Sequence, residues 1–218
     1  GRPGPSGIPS ICTAHPMVIE AAMRATLPTA LPLLIEATCN QVNQDGGYTG
    51  MTPADFRRFV EDIAARTGFP LARLILGGDH LGPNPWKDLE ADEALKRAEE
   101  MIAAFAEAGA DILFVEAVTT AEEIRALPQR LATPQLMNMV IGGKTPITST
   151  EELAKMGYGI VLYANAALQG AVAGMQRALG VLKNEGHIQE DPNLVAPFAE
   201  RQRLVNKPIW DALEKKYQ

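Results

Sequence analysis

The sequence predicts an α/β fold of the TIM-barrel type, in which strands and helices alternate around a parallel sheet. Along the 218 residues, six short apolar runs alternate with amphipathic helical patterns, which is the pattern of a parallel sheet covered by helices. Polar residues collect where the apolar runs end. Because an eight-stranded barrel usually takes about 250 residues, six strand–helix units predict either two unrecognised strands or a barrel that is incomplete or completed by oligomerisation.

Composition narrows the classes of function. The chain is 46% hydrophobic and 21% charged, so we expect residues 1–218 to form a single domain. The net charge is -6 and the basic residues are scattered, which argues against a nucleic-acid-binding surface. No apolar run approaches the roughly 18 to 20 residues of a membrane span, and the first residues lack the apolar core of a signal peptide. We therefore expect a cytoplasmic protein with Cys12 and Cys39 reduced.

The first two strand–helix units place candidate residues at strand ends. Residues 7–13 and 31–35 are the predicted strands, and His15 lies where the first strand meets its helix. Glu36 and Asn40 follow the second strand. Since active sites of parallel α/β folds are built at the carboxyl ends of strands, both residues are candidates for substrate binding.

The third unit brings two residues with catalytic or metal-binding potential together. Residues 74–76 predict a buried strand, and the following pair Gly77-Gly78 predicts a sharp turn that approaches a ligand closely. Asp79 and His80 come next, at the carboxyl end of that strand. The pair could supply a general base, a metal ligand, or one of each. The alternative is a capping aspartate beside a hydrogen-bonded histidine.

The remaining units continue the alternation. The helix after His80 has a predicted buried face, which consists of Ala94, Leu95, Ala98, Met101, Ile102 and Phe105. Further strands are predicted at 111–115, 136–140 and 158–163, and a helix at 166–183. Glu116 ends the first of these strands, and Asn138 lies inside the second.

One loop, residues 142–146, invites a phosphate-binding interpretation. It reads Gly-Gly-Lys-Thr-Pro and includes Lys144 and Thr145. The loop lacks the spacing of a P-loop, so a turn with a solvated lysine is the competing interpretation.

Several motifs in the first half are specific in combination. They are Thr13-Ala14-His15-Pro16, Leu34-Ile35-Glu36-Ala37-Thr38, Asn40-Gln41-Val42-Asn43-Gln44, the stretch Gly46 to Phe56, and Gly77-Gly78-Asp79-His80-Leu81-Gly82-Pro83-Asn84. On these motifs, residues 9–105 resemble the D-tagatose-bisphosphate aldolase accessory-subunit family, which belongs with the class II aldolases. The resemblance implies the first three strands of a TIM barrel, with Asp79 as the proton-transfer acid and His80 as a zinc ligand.

The second half carries a different set of motifs. They are the stretch Ala108 to Ala117, Gln135-Leu136-Met137-Asn138-Met139-Val140, Gly142-Gly143-Lys144-Thr145-Pro146 and Ile160-Val161-Leu162-Tyr163. On these motifs, residues 106–218 resemble the isocitrate lyase and phosphoenolpyruvate mutase superfamily. The resemblance implies the last three strands of a TIM barrel. It also implies that Glu116 and Asn138 line a 2-oxoacid pocket, and that the last helices reach a partner subunit.

The resemblances leave both sets of catalytic residues incomplete, and this decides the functional prediction. We predict an engineered chimeric scaffold without efficient activity, built from residues 1–105 and 106–190 with a helical tail at 191–218. The alternative is a divalent-metal-dependent carbon–carbon lyase or aldolase acting on a small phosphorylated sugar or a 2-oxoacid. A third interpretation is a binding module that holds a small anion without turning it over.

The alternative assigns a role to each candidate residue. Catalytic roles fall to Asp79, Glu116 and Asn138, and substrate binding to Glu36, Asn40, Lys144 and Thr145. His80 and His15 are the predicted ligands of zinc or magnesium, the cations that such donors bind. Open sheet edges and the apolar tail also predict a homodimer.

Overall fold

The computed structural model describes residues 7–116 and 118–217. Its contacts divide the chain into two compact parts, Gly1–Tyr163 and Ala164–Gln218. The N-terminal part contains one parallel sheet of six strands in sequential order. The strands are β1 (Ser10–Cys12), β2 (Leu33–Thr38), β3 (Leu74–Leu81), β4 (Ile112–Val115), β5 (Gln135–Asn138) and β6 (Ile160–Leu162). The prediction of six strand–helix units around a parallel sheet is confirmed.

Helices connect the strands, as parallel pairing requires. Those of the N-terminal part are α1 (Pro16–Thr26), α2 (Pro53–Thr67), α3 (Ala91–Glu107), α4 (Ala121–Arg130) and α5 (Thr150–Met156). The C-terminal part consists of α6 (Ala166–Glu185), α7 (Phe198–Leu204) and α8 (Lys207–Tyr217), which confirms the helical tail. In the described ranges, no helix combines the length and the apolar character needed to cross a membrane.

The two faces of the sheet differ in what their side chains contact. Leu33, Ile35 and Ala37 of β2 are fully buried toward the helices. Glu36 and Thr38 alternate with them and point to the opposite face, which we call the inner face. The register continues that face across the sheet, since Thr38 pairs with Asp79. Within the described residues, no pairing joins β1 to β6, so the six strands form an open portion of a barrel.

Two apolar clusters hold the helices on the sheet. The larger one joins β2, β3 and β4 to α1, α2 and α3, and it includes the fully buried Ile63, Met101 and Leu113. The smaller one surrounds β5 and includes Ile124 of α4 and Leu153 of α5. The larger cluster lies under β2, β3 and β4 and so fixes the strands that carry the candidate residues.

The predicted turn at Gly77-Gly78 is wrong, because β3 runs on through both glycines to Leu81. A Cβ on Gly78 would lie 2.7 Å from Leu81 Cδ1, and one on Gly77 would lie 3.2 Å from Leu34 Cδ1. The glycines therefore allow neighbouring side chains to pack against an extended backbone. In a strand, glycine allows neighbouring groups to approach the backbone closely, and it does so here without forming a turn.

Helix α2 begins with a reciprocal capping arrangement. Thr52 Oγ1 accepts a hydrogen bond from Asp55 N (3.3 Å), and the Asp55 carboxylate accepts one from Thr52 N (3.0 Å). Thr52→Ala removes one half of this pair, so we expect the free energy of unfolding to fall by about 1 kcal/mol. Urea denaturation measures the loss. Thr52→Ser keeps the hydroxyl and serves as the control, and an equal loss in both variants would contradict the capping explanation.

Candidate functional site

A cavity of about 840 Å³ opens at the carboxyl ends of β2, β3 and β4. This volume lies in the range of small-molecule sites. Its polar lining comprises Thr38, Asn40, His80, Asn84, Lys87 and Glu116, and its apolar lining includes Leu89, Ala91, Ala94 and Leu95. The position is the one at which α/β folds bind their ligands.

Asp79 lies directly behind this cavity. It is 9% exposed and does not itself line the cavity, but its register partner Thr38 and its neighbour His80 both do. On the inner face, the Cys12 thiol donates to Gln41 Oε1 at 3.8 Å. Partial burial and the nearby carboxylates of Asp79 and Glu36 raise the pKa of Cys12 to about 12. Cys12 therefore stays a neutral thiol, which is a weak hydrogen-bond donor.

Glu36 adds a second carboxyl group to the inner face. Burial raises the pKa of Glu36, and the charge of Asp79 raises it further, although a hydrogen bond from Ser10 and the nearby His80 act in the opposite direction. The Ser10 hydroxyl donates to Glu36 Oε1. Two carboxyl groups close together favour protonation of one of them.

The raised pKa of Glu36 predicts a pH-dependent stability. A folded-state pKa above the unfolded value means that ionisation opposes folding, so the stability present below about pH 4.5 is lost as the pH rises through the folded value. We expect Glu36→Gln to raise the melting temperature relative to wild type at pH 7 and to match it near pH 4. Thermal melts over this range test the prediction.

Glu123 is the matched control for that experiment. Its pKa is lowered by hydrogen bonds from the backbone N–H groups of Thr119 and Thr120, so its ionisation favours folding. Glu123→Gln is expected to lower the melting temperature at pH 7. If both variants shift in the same direction, the assignment of opposite pKa shifts is wrong.

His80 is held between two carboxylates. Its Nδ1 contacts Glu116 Oε2, its Nε2 lies 3.6 Å from Asp79 Oδ1, and its ring lies 4.6 Å from the ring of Phe114. The backbone φ of His80 is +48°, a conformation that residues other than glycine adopt rarely and that collects at functional sites. These contacts fix the imidazole at the cavity wall.

The structure groups some of the predicted site residues and separates others. Asn40, His80 and Glu116 line the cavity, and Asp79 and Glu36 lie on the inner face next to it. The other four do not line the cavity: His15 is exposed at the start of α1, Asn138 ends β5, Lys144 is exposed, and Thr145 Oγ1 donates to Val118 O at 2.7 Å. The roles proposed for these four remain predictions.

A metal site was predicted from His80 and His15. In the described residues, no three histidine, cysteine, aspartate or glutamate side chains are arranged to hold one ion. His80 turns one ring nitrogen to Glu116 and the other to Asp79, and His15 occupies the exposed N-cap of α1. The donor set in this conformation does not fit zinc or magnesium, and no chemical step below depends on a cation.

Sequence reasoning missed several residues around the cavity. Ser10 and Cys12 share one face of β1, where Ser10 donates to Glu36 and Cys12 donates to Gln41. A period-two pattern on a longer strand would have indicated this shared face. Lys87 lines the cavity from a loop that carried no motif. The prediction that Leu95 is buried is wrong, because it is 56% exposed and lines the cavity. Cys12 and Cys39 are both free thiols.

Comparison with known sequences identifies the family. A sequence model of the D-tagatose-1,6-bisphosphate aldolase subunit GatZ/KbaZ-like family matches residues 2–140. The chain belongs to this family. The aldolase subunit GatZ of Salmonella dublin is 57% identical over 111 residues, covering 51% of this chain and 26% of that protein. The D-tagatose 6-phosphate 4-epimerase of Agrobacterium fabrum is 56% identical over 105 residues, covering 48% and 25%.

Another relative aligns over almost the whole chain. The aldolase subunit GatZ of Escherichia coli O1:K1 / APEC is 34% identical over 248 residues, covering 97% of this chain and 59% of that protein. The alignment is longer than the 218 residues of this chain, so the relative has residues within the matched region that this chain lacks. The chain spans between a quarter and three fifths of the length of these curated relatives.

Solved structures are also similar to this chain. A probable tagatose 6 phosphate kinase from Sinorhizobium meliloti 1021 is 43% identical with a TM-score of 0.54, covering 77% of this chain and 46% of that one. A 2,3-dimethylmalate lyase of the PEP mutase/isocitrate lyase superfamily has a TM-score of 0.60 and 23% identity, covering 92% and 66%. The second likeness concerns the fold alone.

The prediction of an engineered scaffold without activity is wrong. The family match runs from residue 2 to residue 140 without stopping at the predicted seam near residue 105, and one named aldolase subunit aligns with 97% of the chain. The relatives support the alternative, a lyase or aldolase.

Proposed function

We propose that this chain forms the ketose-phosphate site of a carbon–carbon lyase of the aldolase type, acting on a phosphorylated tagatose. Three kinds of relative carry names that refer to a tagatose phosphate: an aldolase subunit, a 4-epimerase and a kinase. The first two act around the same carbon, because aldol cleavage breaks the C3–C4 bond and epimerisation inverts C4. A site that opens the C3–C4 bond can serve both reactions.

The observation that carries the proposal is the position of Asp79. A substrate hydroxyl entering between the cavity-lining Thr38 and His80 would meet the Asp79 carboxylate behind them. Cleavage begins when a base takes the proton of the C4 hydroxyl, the C4–O bond becomes a carbonyl and the C3–C4 electron pair moves onto the C2–C3 enediolate. Asp79 is the base in this scheme.

His80 and Glu116 support the same proton transfer. With Glu116 in contact with Nδ1, the Nε2 of His80 lies 3.6 Å from Asp79 Oδ1, and the residue lines the cavity. A protonated Nε2 would donate to the developing enediolate oxygen, which is how fixed donors stabilise charge in a transition state. Return of the enediolate to the opposite face of the aldehyde gives the 4-epimer, and release of the aldehyde gives cleavage.

Product analysis tests the proposal. The purified chain is incubated with tagatose 1,6-bisphosphate and, separately, with tagatose 6-phosphate, with and without added zinc or magnesium. We expect triose phosphates from the bisphosphate or fructose 6-phosphate, the 4-epimer, from the monophosphate, both resolved by NMR. Absence of both products under all conditions would reject the proposed activity.

A second candidate function is that of a subunit in a larger assembly. Several relatives are named as aldolase subunits, and β1 and β6 each have one paired neighbour among the described strands. Unpaired edges favour association. We propose a homodimer in the absence of other proteins. Light scattering decides this, since a mass near 23.4 kDa at all concentrations would exclude it.

A further inference from the structure

We propose that Lys87, together with the amide pair Asn40 and Asn84, forms the phosphate-binding end of the cavity. The inference rests on the proposed ketose-phosphate substrate and assigns its orientation. The phosphate would lie beside the loop that follows β3, and the reacting carbon would lie at Thr38 and His80. Asn40 is one of the candidate residues derived from the sequence, whereas Lys144, the lysine among those candidates, does not line the cavity.

The charges around the cavity decide the orientation. Glu116 lines the wall at His80, and Asp79 lies behind the same wall. Two like charges about 4 Å apart cost on the order of 4 kcal/mol at an effective dielectric constant of 20, so a phosphate dianion is disfavoured at that wall. The phosphate must therefore take the loop side, where Lys87 supplies a positive charge.

Among the described residues that line the cavity, Lys87 is the one lysine or arginine. In the described part of the chain, Lys87 forms no side-chain hydrogen bond or ion pair, although Arg97 nearby is engaged by Asp45 and lies over the ring of Trp86 at 5.4 Å. His80, the other cationic candidate, is held by Glu116. A lysine that lines the cavity without a carboxylate partner is suited to an anionic ligand.

The loop turns its charges in a way that favours an anion. Lys87, Leu89 and Ala91 line the cavity, and the intervening Asp88 and Glu90 do not. The cavity lining therefore includes Lys87, which is exposed to solvent, without its two acidic neighbours.

Asn40 and Asn84 complete the arrangement. Asn84 Nδ2 donates to Asn40 Oδ1 at 3.2 Å, which links the loops after β2 and β3. This bond uses the acceptor of Asn40 and leaves its Nδ2 group as a donor at the cavity wall. A phosphate oxygen would receive one charge-assisted hydrogen bond from Lys87 and one from the Asn40 amide.

Inorganic phosphate tests the subsite independently of the sugar chemistry. Its affinity for the full chain is measured by ³¹P NMR titration for wild type and for Lys87→Met, Lys87→Arg and Lys96→Met. Lys96 is exposed on α3 outside the cavity, so Lys96→Met removes the same charge elsewhere. We expect Lys87→Met to weaken phosphate binding at least about tenfold, with Lys87→Arg and Lys96→Met staying within about twofold of wild type.

The outcomes separate the subsite from the proposed activity. Phosphate binding that depends on Lys87 supports the subsite. If such a chain turns over no tagatose phosphate, the proposed activity is rejected and the subsite stands. Phosphate binding that is absent in wild type, or equal in wild type and Lys87→Met, overturns the subsite, whatever the turnover. Equal losses of phosphate affinity in Lys87→Met and Lys96→Met would show that the effect depends on net charge alone, and this result would also overturn the subsite.

Discussion

Asp79→Asn is expected to lower kcat for a tagatose phosphate by about 10²- to 10⁴-fold, the usual contribution of a positioned general base. The amide has nearly the shape of the carboxylate and cannot accept the C4 hydroxyl proton. Because Asp79 lies behind the cavity lining, the KM is expected to change less than kcat. Initial rates with each tagatose phosphate, followed by coupled assay or NMR, measure both constants.

The control for this experiment is Asp88→Asn. Asp88 lies next to Lys87 in the chain but does not line the cavity. The kcat of Asp88→Asn is therefore expected to remain within about twofold of wild type. Thermal melts of both variants separate lost catalysis from lost folding. If Asp79→Asn retains full activity while folded, the base lies elsewhere, and His80 becomes the next residue to substitute.

Strand-level features of this site were accessible from the sequence. The apolar run before Gly77-Gly78 predicted a strand, and the position of Asp79 and His80 directly after it predicted a site at that sheet edge. Glu36 was predicted as a site residue because it follows the predicted strand at residues 31–35, although β2 runs on to Thr38 and includes Glu36. Such patterns carry no distances between elements, so the contacts of Ser10 with Glu36 and of His80 with Glu116 are known only from the fold.

Errors arose where tertiary packing overrides local preference. Glycine pairs usually indicate turns, yet Gly77 and Gly78 are extended. The side chains of Leu34 and Leu81 fill the space that a Cβ at these two positions would occupy. Leu95 fits the apolar spacing of α3 but lies at the edge of its buried stripe, where the cavity replaces a packing partner. Lys87 belongs to an irregular loop, in which no periodicity indicates the direction of a side chain.

The loop after β2 provides the second large expected effect, at Gly47. Its φ is +55°, and a Cβ there would lie 2.4 Å from Gln41 O and 2.8 Å from Asn40 O. The loop folds back so closely because Tyr48 N donates to Asn40 O at 2.9 Å and Thr49 Oγ1 donates to Gln41 O at 2.6 Å. The backbone of the cavity residue Asn40 is therefore fixed by a contact that admits no side chain.

Gly47→Ala is expected to lower the free energy of unfolding by about 2–5 kcal/mol, the sum of left-handed strain and overpacking against backbone. Gly50→Ala is the matched control, since its φ is +78° but nothing lies within 4 Å of its Cβ. Strain alone predicts a loss of about 1–2 kcal/mol there. Urea denaturation measures both variants.

Equal losses of stability in Gly47→Ala and Gly50→Ala would show that the loop yields to the added methyl group, and phosphate affinity should then be unchanged as well. A larger loss at Gly47, accompanied by weaker phosphate binding, would tie the stability of this loop to the position of Asn40.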